Sequence, residues 1–388
     1  MYEKLEFMTQ SGKKFKVLIT GGGTGGHIFP AIAVAQKLKE DADIEKIFYV
    51  GCKKNMEKDA AAKADIDFYS INVSGLPRKI SLKSALLLIE AGFATLKSIY
   101  LLLKLKPDVV FGTGGYVSGP VLAAAYLLKV PFVIHDPDAH PGIVNRLMAS
   151  KAFAVSTAFE SAADYLKSEN ITLNGNPVRA ELLETEKSTA LKELNFDGEK
   201  KILFVTGGSQ GAKTVNDAVL GALPDLINKG IQVIHQTGAK NYDEYMKEFE
   251  KKYPKIFNGE TVFNPDAYIV RPFFDNMAVP LNAADLAVAR AGSLSISELN
   301  LCGLPSVLVP YPYAAADHQR FNARAMVEIG ASIFLEDSEC TSEKLTEIIF
   351  ELFNDSERLE RMKSACKSAA KPRATESIVK IIKEAAGK

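Results

Sequence analysis

Gly21-Gly-Gly-Thr-Gly-Gly-His27 is the first stretch of this chain equipped for chemistry. It follows an apolar run and opens a helical pattern, so its glycines let backbone N–H groups close on an anion at a helix N-terminus. His27 adds an imidazole that titrates near neutrality. Gly21, Gly23 and Gly26 satisfy the G-x-G-x-x-G spacing of dinucleotide sites. The second strand, however, ends Tyr49-Val-Gly-Cys-Lys-Lys54, with no acidic residue to hold a ribose, and the dinucleotide reading loses most of its weight. A second loop, Gly207-Gly-Ser-Gln-Gly-Ala-Lys-Thr214, misses the phosphate-binding G-x-x-x-x-G-K-T pattern because Ala212 occupies the second glycine position. No acidic strand end stands out as a magnesium partner, so an ATPase is disfavoured. Anion binding remains, with the Ser209 hydroxyl and helix amides as donors. A third loop, Phe111-Gly-Thr-Gly-Gly-Tyr-Val-Ser-Gly-Pro120, serves either a ligand or close packing.

The later half carries Arg290-Ala-Gly-Ser-Leu-Ser-Ile-Ser-Glu298, read as a strand end, a turn and a helix start. Ser293 and Ser295 are expected to cap that helix. Glu298 either answers the helix dipole or accepts two hydrogen bonds from a ribose diol. In Asp317-His-Gln-Arg-Phe-Asn-Ala323, Gln319 and Asn322 suit sugar hydroxyls.

Short β-branched runs at 16–20, 47–51, 108–115, 131–136 and 153–156 alternate with helical patterns, and a second series runs through 201–208, 231–238, 268–274, 286–292 and 305–312. That alternation predicts an α/β protein of two Rossmann-like, doubly wound parallel-sheet domains. Both series open alike, Lys16-Val-Leu-Ile-Thr-Gly-Gly and Lys201-Ile-Leu-Phe-Val-Thr-Gly-Gly. The turn-rich Asn174-Gly-Asn-Pro-Val178 marks the join, giving domains 1–176 and 177–372. A length of 388 residues supports two domains. With 47 basic and 47 acidic residues there is no electrostatic footprint for nucleic acid. Cys52, Cys302, Cys340 and Cys366 are scattered, which suggests neither zinc nor a disulfide framework and fits a reducing cytoplasm. The polar start, MYEKLEFMTQSGKKFK, lacks the apolar region of a signal peptide.

Residues 81–106 stand apart. Lys83, Glu90, Lys97 and Lys104 recur every seven positions along one helical stripe, among Leu, Ile, Phe and Tyr. No apolar stretch reaches the ~18–20 residues of a membrane span. Two readings stay open: a helix buried against the sheet, or an apolar face resting on a membrane surface with Arg78-Lys79 near lipid phosphates.

Gly22-Gly-Thr-Gly-Gly-His-Ile-Phe-Pro30, Gly112-Thr-Gly-Gly-Tyr116, His135 with Pro141-Gly142 and Asn145-Arg146, Gly175-Asn-Pro-Val-Arg179, Gly207-Gly-Ser-Gln-Gly-Ala212, Arg290-Ala-Gly-Ser293 with Glu298, and Asp317-His-Gln319 with Asn322-Ala323 occur in order along the chain. Together they closely resemble the GT-B glycosyltransferases that form lipid II in peptidoglycan synthesis. The resemblance implies two domains facing a central cleft, with the C-terminal helix 373–388 returning to the first. It implies an inverting transfer of N-acetylglucosamine from UDP-N-acetylglucosamine to the 4-hydroxyl of lipid I, without cofactor or metal, by a peripheral protein on the cytoplasmic face of the membrane. In its terms Thr24, Gly25, Gly26 and His27 lie at the diphosphate and reaction centre, Asn145 at the substrate, and Arg179 and Ser209 at the nucleotide. Phe274 meets uracil through its backbone. The turn of Ser293, Leu294, Ser295, Ile296, Ser297 and Glu298 holds diphosphate and ribose, and Gln319 the sugar. His27 is the expected catalytic base, with Asp136 and His135 as alternatives. One departure stands out: relatives read His-Glu-x-Asn where this chain has His135-Asp-Pro-Asp138. Asp138 accepts from sugar hydroxyls but cannot donate as an amide does.

Overall fold

A computed structural model describes residues 14–52, 56–75, 82–178, 181–208, 210–254 and 265–387. The apolar runs form two wholly parallel sheets. In the first, β1 (Phe15–Thr20), β2 (Ile44–Cys52), β3 (Asp67–Ile71), β4 (Val109–Gly112), β5 (Phe132–Asp136), β6 (Ala154–Thr157) and β7 (Ile171–Leu173) lie in the order β3-β2-β1-β4-β5-β6-β7. The second contains β8 (Ile202–Thr206), β9 (Gln232–Gln236), β10 (Tyr268–Arg271), β11 (Leu286–Ala289), β12 (Ser306–Leu308) and β13 (Ser332–Phe334), in the order β10-β9-β8-β11-β12-β13. Both orders reverse direction beside the first strand, the switch point at which open α/β sheets bind ligands.

Three strands escape the apolar pattern: β3, β7 and β13, with sequences DFYSI, ITL and SIF. They sit at sheet edges, where one flank lacks a neighbour and a continuous apolar run is not required. The central strands are buried along nearly their full length, as a sheet covered on both faces demands.

The halves meet through the segment after β7. The C-terminal helix Ala374–Ala386 crosses back onto the first sheet, where Ile378, Ile382 and Ala385 join the core of Val17, Ile19 and Phe111. Lys383 ties this helix to Asp41 and Asp43, each at 2.7 Å. The helix Leu82–Leu105 divides its faces. Ala94, Ser98, Leu101, Leu102 and Leu105 are buried, while Ile89, Phe93, Leu96, Tyr100 and Leu103 are each more than half exposed. The buried face fits the first reading of this segment, and the other face is left exposed. Among the described residues no helix is long and apolar enough to cross a membrane.

Candidate active site

Four loops leave the strands that flank the two switch points, after β1, β4, β8 and β11, and they carry most of the candidate residues. After β1 the chain enters the helix Gly25–Lys39 directly, several residues before Phe29-Pro30. Thr24 is its N-cap; the hydroxyl makes no capping bond and is exposed, while the carbonyl accepts from the amides of His27 and Ile28. Gly25 and Gly26 are half-exposed in the first turn, where amide groups have no partner within the helix.

The loop after β4 is what holds His27. The Thr113 carbonyl lies 2.9 Å from His27 Nδ1, and Thr113 Oγ1 donates to the His27 carbonyl at 2.6 Å. Gly115, at φ +77°, lies so close that a Cβ there would stand 2.0 Å from the Gly22 carbonyl oxygen. Close packing is thus the role this third loop fulfils, in the service of the first. Because a carbonyl only accepts, the Thr113 bond places the proton on Nδ1 and leaves the Nε2 lone pair for chemistry. Burial holds the imidazole below its usual value; the Asp138 carboxylate and the Thr113 carbonyl pull it upward, and His318 adds to the depression. His27 is therefore biased toward the neutral imidazole at physiological pH.

The two alternative bases are occupied otherwise. His135 is fully buried, with Nδ1 3.1 Å from Ser156 Oγ and Nε2 3.0 Å from Asn176 Oδ1, and burial pushes it down to about 4. Asp136 accepts from the amides of Asp138 and Gly142 and from Asn145 Nδ2 at 2.8 Å. Burial, helped by Asp138, raises it to about 7. At 1 % exposure its carboxylate organises the loop 136–142. Asn145 is equally buried; its Nδ2 bonds Asp136 and the His135 carbonyl, and its Oδ1 has no hydrogen-bond partner among the described residues.

Asp138 is partly exposed and reaches across the cleft, where its Oδ1 accepts from Asn322 Nδ2 at 2.9 Å. Asn322 also accepts from the Ala139 amide at 2.7 Å and is wholly buried. It is an interdomain clamp, not the exposed amide expected for sugar hydroxyls. Asn176 is a second clamp: it accepts from His135, and its amide hydrogens are shared among the Pro137 carbonyl, the Ser293 carbonyl and Ser297 Oγ. Neither clamp is legible in one sequence, because each joins residues more than a hundred positions apart.

In the second half, the helix Ser293–Leu301 starts from Gly292, which is the N-cap and makes no side-chain capping bond. Ser293 and Ser295 accordingly do not cap it: glycine at that position leaves the first amides open. Ile296 is 2 % exposed and Ser297 bonds the Ser293 carbonyl, so both side chains face inward; Leu294 and Ser295 are partly exposed at the open end. Glu298 is also partly exposed. Phe274 is buried and its amide donates to Gln236 Oε1 at 2.9 Å, which leaves its carbonyl for a base. Gln319 Oε1 accepts from the Tyr311 amide, leaving its NH2 group for a ligand. Beside it, His318 Nδ1 lies 2.7 Å from the Ala315 carbonyl. Arg179 and Ser209 lie outside the described residues. No sequence signal singles out Glu57. Fully buried, it accepts from the Gly23 amide at 2.9 Å and braces the first glycine loop from behind.

Two Rossmann-like halves that point their switch-point loops and helix N-termini at one cleft define a GT-B glycosyltransferase. Residues 17–157 match the N-terminal domain of glycosyltransferase family 28 and residues 202–378 its C-terminal domain. The UDP-N-acetylglucosamine–N-acetylmuramyl-(pentapeptide) pyrophosphoryl-undecaprenol N-acetylglucosamine transferase of Desulforamulus reducens is 40% identical, over 95% of this chain and 98% of its own. The enzyme of the same name from Halothermothrix orenii is 38% identical, over 96% and 99%. The crystal structure of Acinetobacter baumannii MurG superposes with a TM-score of 0.74 at 27% identity, covering 96% of this chain and 99% of that one. The chain belongs to glycosyltransferase family 28, and within it to the MurG family. The UDP-GlcNAc 2-epimerase of Neisseria meningitidis, at 14% identity and a TM-score of 0.62, shares the fold.

Proposed function

We propose that this protein transfers N-acetylglucosamine from UDP-N-acetylglucosamine to lipid I, forming lipid II. The observation that carries the reading is full-length similarity, at 40% identity, to enzymes named for that transfer. The geometry supports a division of labour. The 4-hydroxyl of the lipid-linked muramyl sugar attacks C1 of N-acetylglucosamine, its proton passes to His27 Nε2, and UDP departs with the electrons of the broken C1–O bond. The open N-termini of the helices Gly25–Lys39 and Ser293–Leu301 oppose the charge that grows on the diphosphate. Arg179 and Ser209 are proposed nucleotide contacts, Glu298 the ribose acceptor, Phe274 the base contact, and Gln319 and Asp138 sugar contacts. His27→Ala is expected to cut turnover at least ~10²-fold while UDP binding persists; near-normal turnover removes His27 as the base.

The acceptor's lipid gives the exposed face of Leu82–Leu105 a purpose. Ile89, Phe93, Leu96, Tyr100 and Leu103 form a stripe at helical spacing, flanked by exposed Lys97 and Lys104. Such a face settles into the headgroup boundary while its lysines meet lipid phosphates, which makes the protein peripheral on the cytoplasmic leaflet. The decisive assay is transfer from labelled UDP-N-acetylglucosamine to a short-chain lipid I analogue. A disaccharide lipid is expected; release of free sugar, or transfer only to another acceptor, overturns the reading.

A further inference from the structure

Behind the donor-facing loops, where the halves and their connecting segment converge, lies a second cavity of about 610 Å³. Phe159 of the first half, Ile296 and Met326 of the second, and Ala369 of the helix Ser356–Ala369 give it apolar walls; Asn176 of the connecting segment completes it. Ile296 and Asn300 are four residues apart on the face of Ser293–Leu301 opposite Glu298, so the helix separates this cavity from the proposed ribose site. Asn300 supplies a second observation. It is 7% exposed and lines the cavity, yet its Nδ2 reaches only Met326 Sδ at 3.6 Å and its Oδ1 has no donor among the described residues. Its Oδ1 is thus available to a donor from a molecule in the cavity. Glu160, Glu328 and Lys371 also line it, a mixture that favours no ion of either sign.

We propose that this cavity binds an uncharged, mostly apolar small molecule whose single amide, amine or hydroxyl group pairs with Asn300. Its volume suits such a ligand. Because the walls come from both halves, the occupant binds the arrangement in which the Asn176 and Asn322 clamps are closed, and by linkage it holds the domains there. Ser293–Leu301 and His318–Glu328, whose N-termini face the donor side, present their backs to the ligand. Occupancy therefore changes donor affinity without touching the donor.

N-phenyl-1-naphthylamine, which is neutral, apolar and carries one N–H, is a suitable probe. Titrated by fluorescence into the full chain, it is expected to saturate at one probe per chain and to shift the apparent Kd for UDP. Ala369→Trp, which fills the cavity, should abolish both effects. Asn300→Leu should weaken probe binding roughly 10-fold, the measure of one buried hydrogen bond. Phe93→Ser, on the exposed stripe, should leave both unchanged. Should the tryptophan variant lose its Tm or its UDP binding, Ala325→Leu makes the same test with a smaller side chain. Probe binding that survives filling, that disappears in Phe93→Ser, or that leaves the UDP Kd unmoved overturns the proposal.

Discussion

The two halves cross from their third strand to their fourth by different means. In the first sheet the crossover from β3 to β4 contains a helix of 24 residues, Leu82–Leu105, with one buried face and one exposed apolar face. In the second, the crossover from β10 to β11 contains a helix of six residues, Ala278–Ala283, of which Ala278, Val279, Pro280, Leu281 and Ala283 are buried. A six-residue helix suffices in the same topological step, so the fold does not require the long one. Its exposed apolar side chains gain nothing from folding, since burial is what makes an apolar side chain stabilising. The short helix serves stability and the long one has surface to spare for a partner.

Substitutions that separate those roles should give opposite results. The largest effect is expected from changing Phe93, Leu96, Tyr100 and Leu103 together to Ser: sedimentation with anionic vesicles should disappear while the thermal midpoint stays near that of the parent. Retained vesicle binding breaks the comparison on one side. On the other, Leu281→Ala should lower stability by about 2–5 kcal/mol through a core cavity and leave vesicle binding alone.

Acid should sharpen a likeness between the halves. His135 and His235 are both fully buried, and each Nε2 lies 3.0 Å from an asparagine oxygen, that of Asn176 and Asn216 respectively. Burial lowers them to about 4 and about 3. The unfolded chain, titrating near 6.5, then binds more protons than the native one, so the stability present above that value is lost as pH falls toward 4. Each imidazole should account for about 3 kcal/mol by pH 4, at about 1.36 kcal/mol per unit. Calorimetric midpoints should fall over that window, and less steeply in His235→Gln; a midpoint indifferent to acid contradicts the assignment. The smallest effect concerns the donor half alone: Glu298→Ala should raise the donor KM by about 1.5–3 kcal/mol and leave kcat nearly intact. An unchanged KM rules out the ribose contact.

Much of the architecture was legible because it follows from short-range patterning. A fully buried strand must be apolar throughout, and a glycine loop must sit where the backbone turns from strand to helix, so ten of the strands and all three loops announced themselves. Three of the four edge strands did not, since a half-covered strand tolerates DFYSI or ITL. At the site, residue types identified His27, Asp136 and His135 as candidate bases, and their burial and partners were not legible. The Thr113 carbonyl, 86 residues away, engages Nδ1 of His27, whereas His135 spends both nitrogens on Ser156 and Asn176.

Local patterning specifies the pair of parallel sheets, the places where backbone amides gather, and the side chains able to accept a proton. These depend on periodicity and on residue chemistry, which are local. Tertiary structure alone decided that Asn322 and Asn176 clamp the halves, that Gly292 and not a serine starts the helix at 293, and that Glu57 stands behind the first glycine loop. Each of those outcomes is a hydrogen bond between distant segments or a competition for one backbone group, and the order of residues along a chain does not disclose who will be beside whom once it folds.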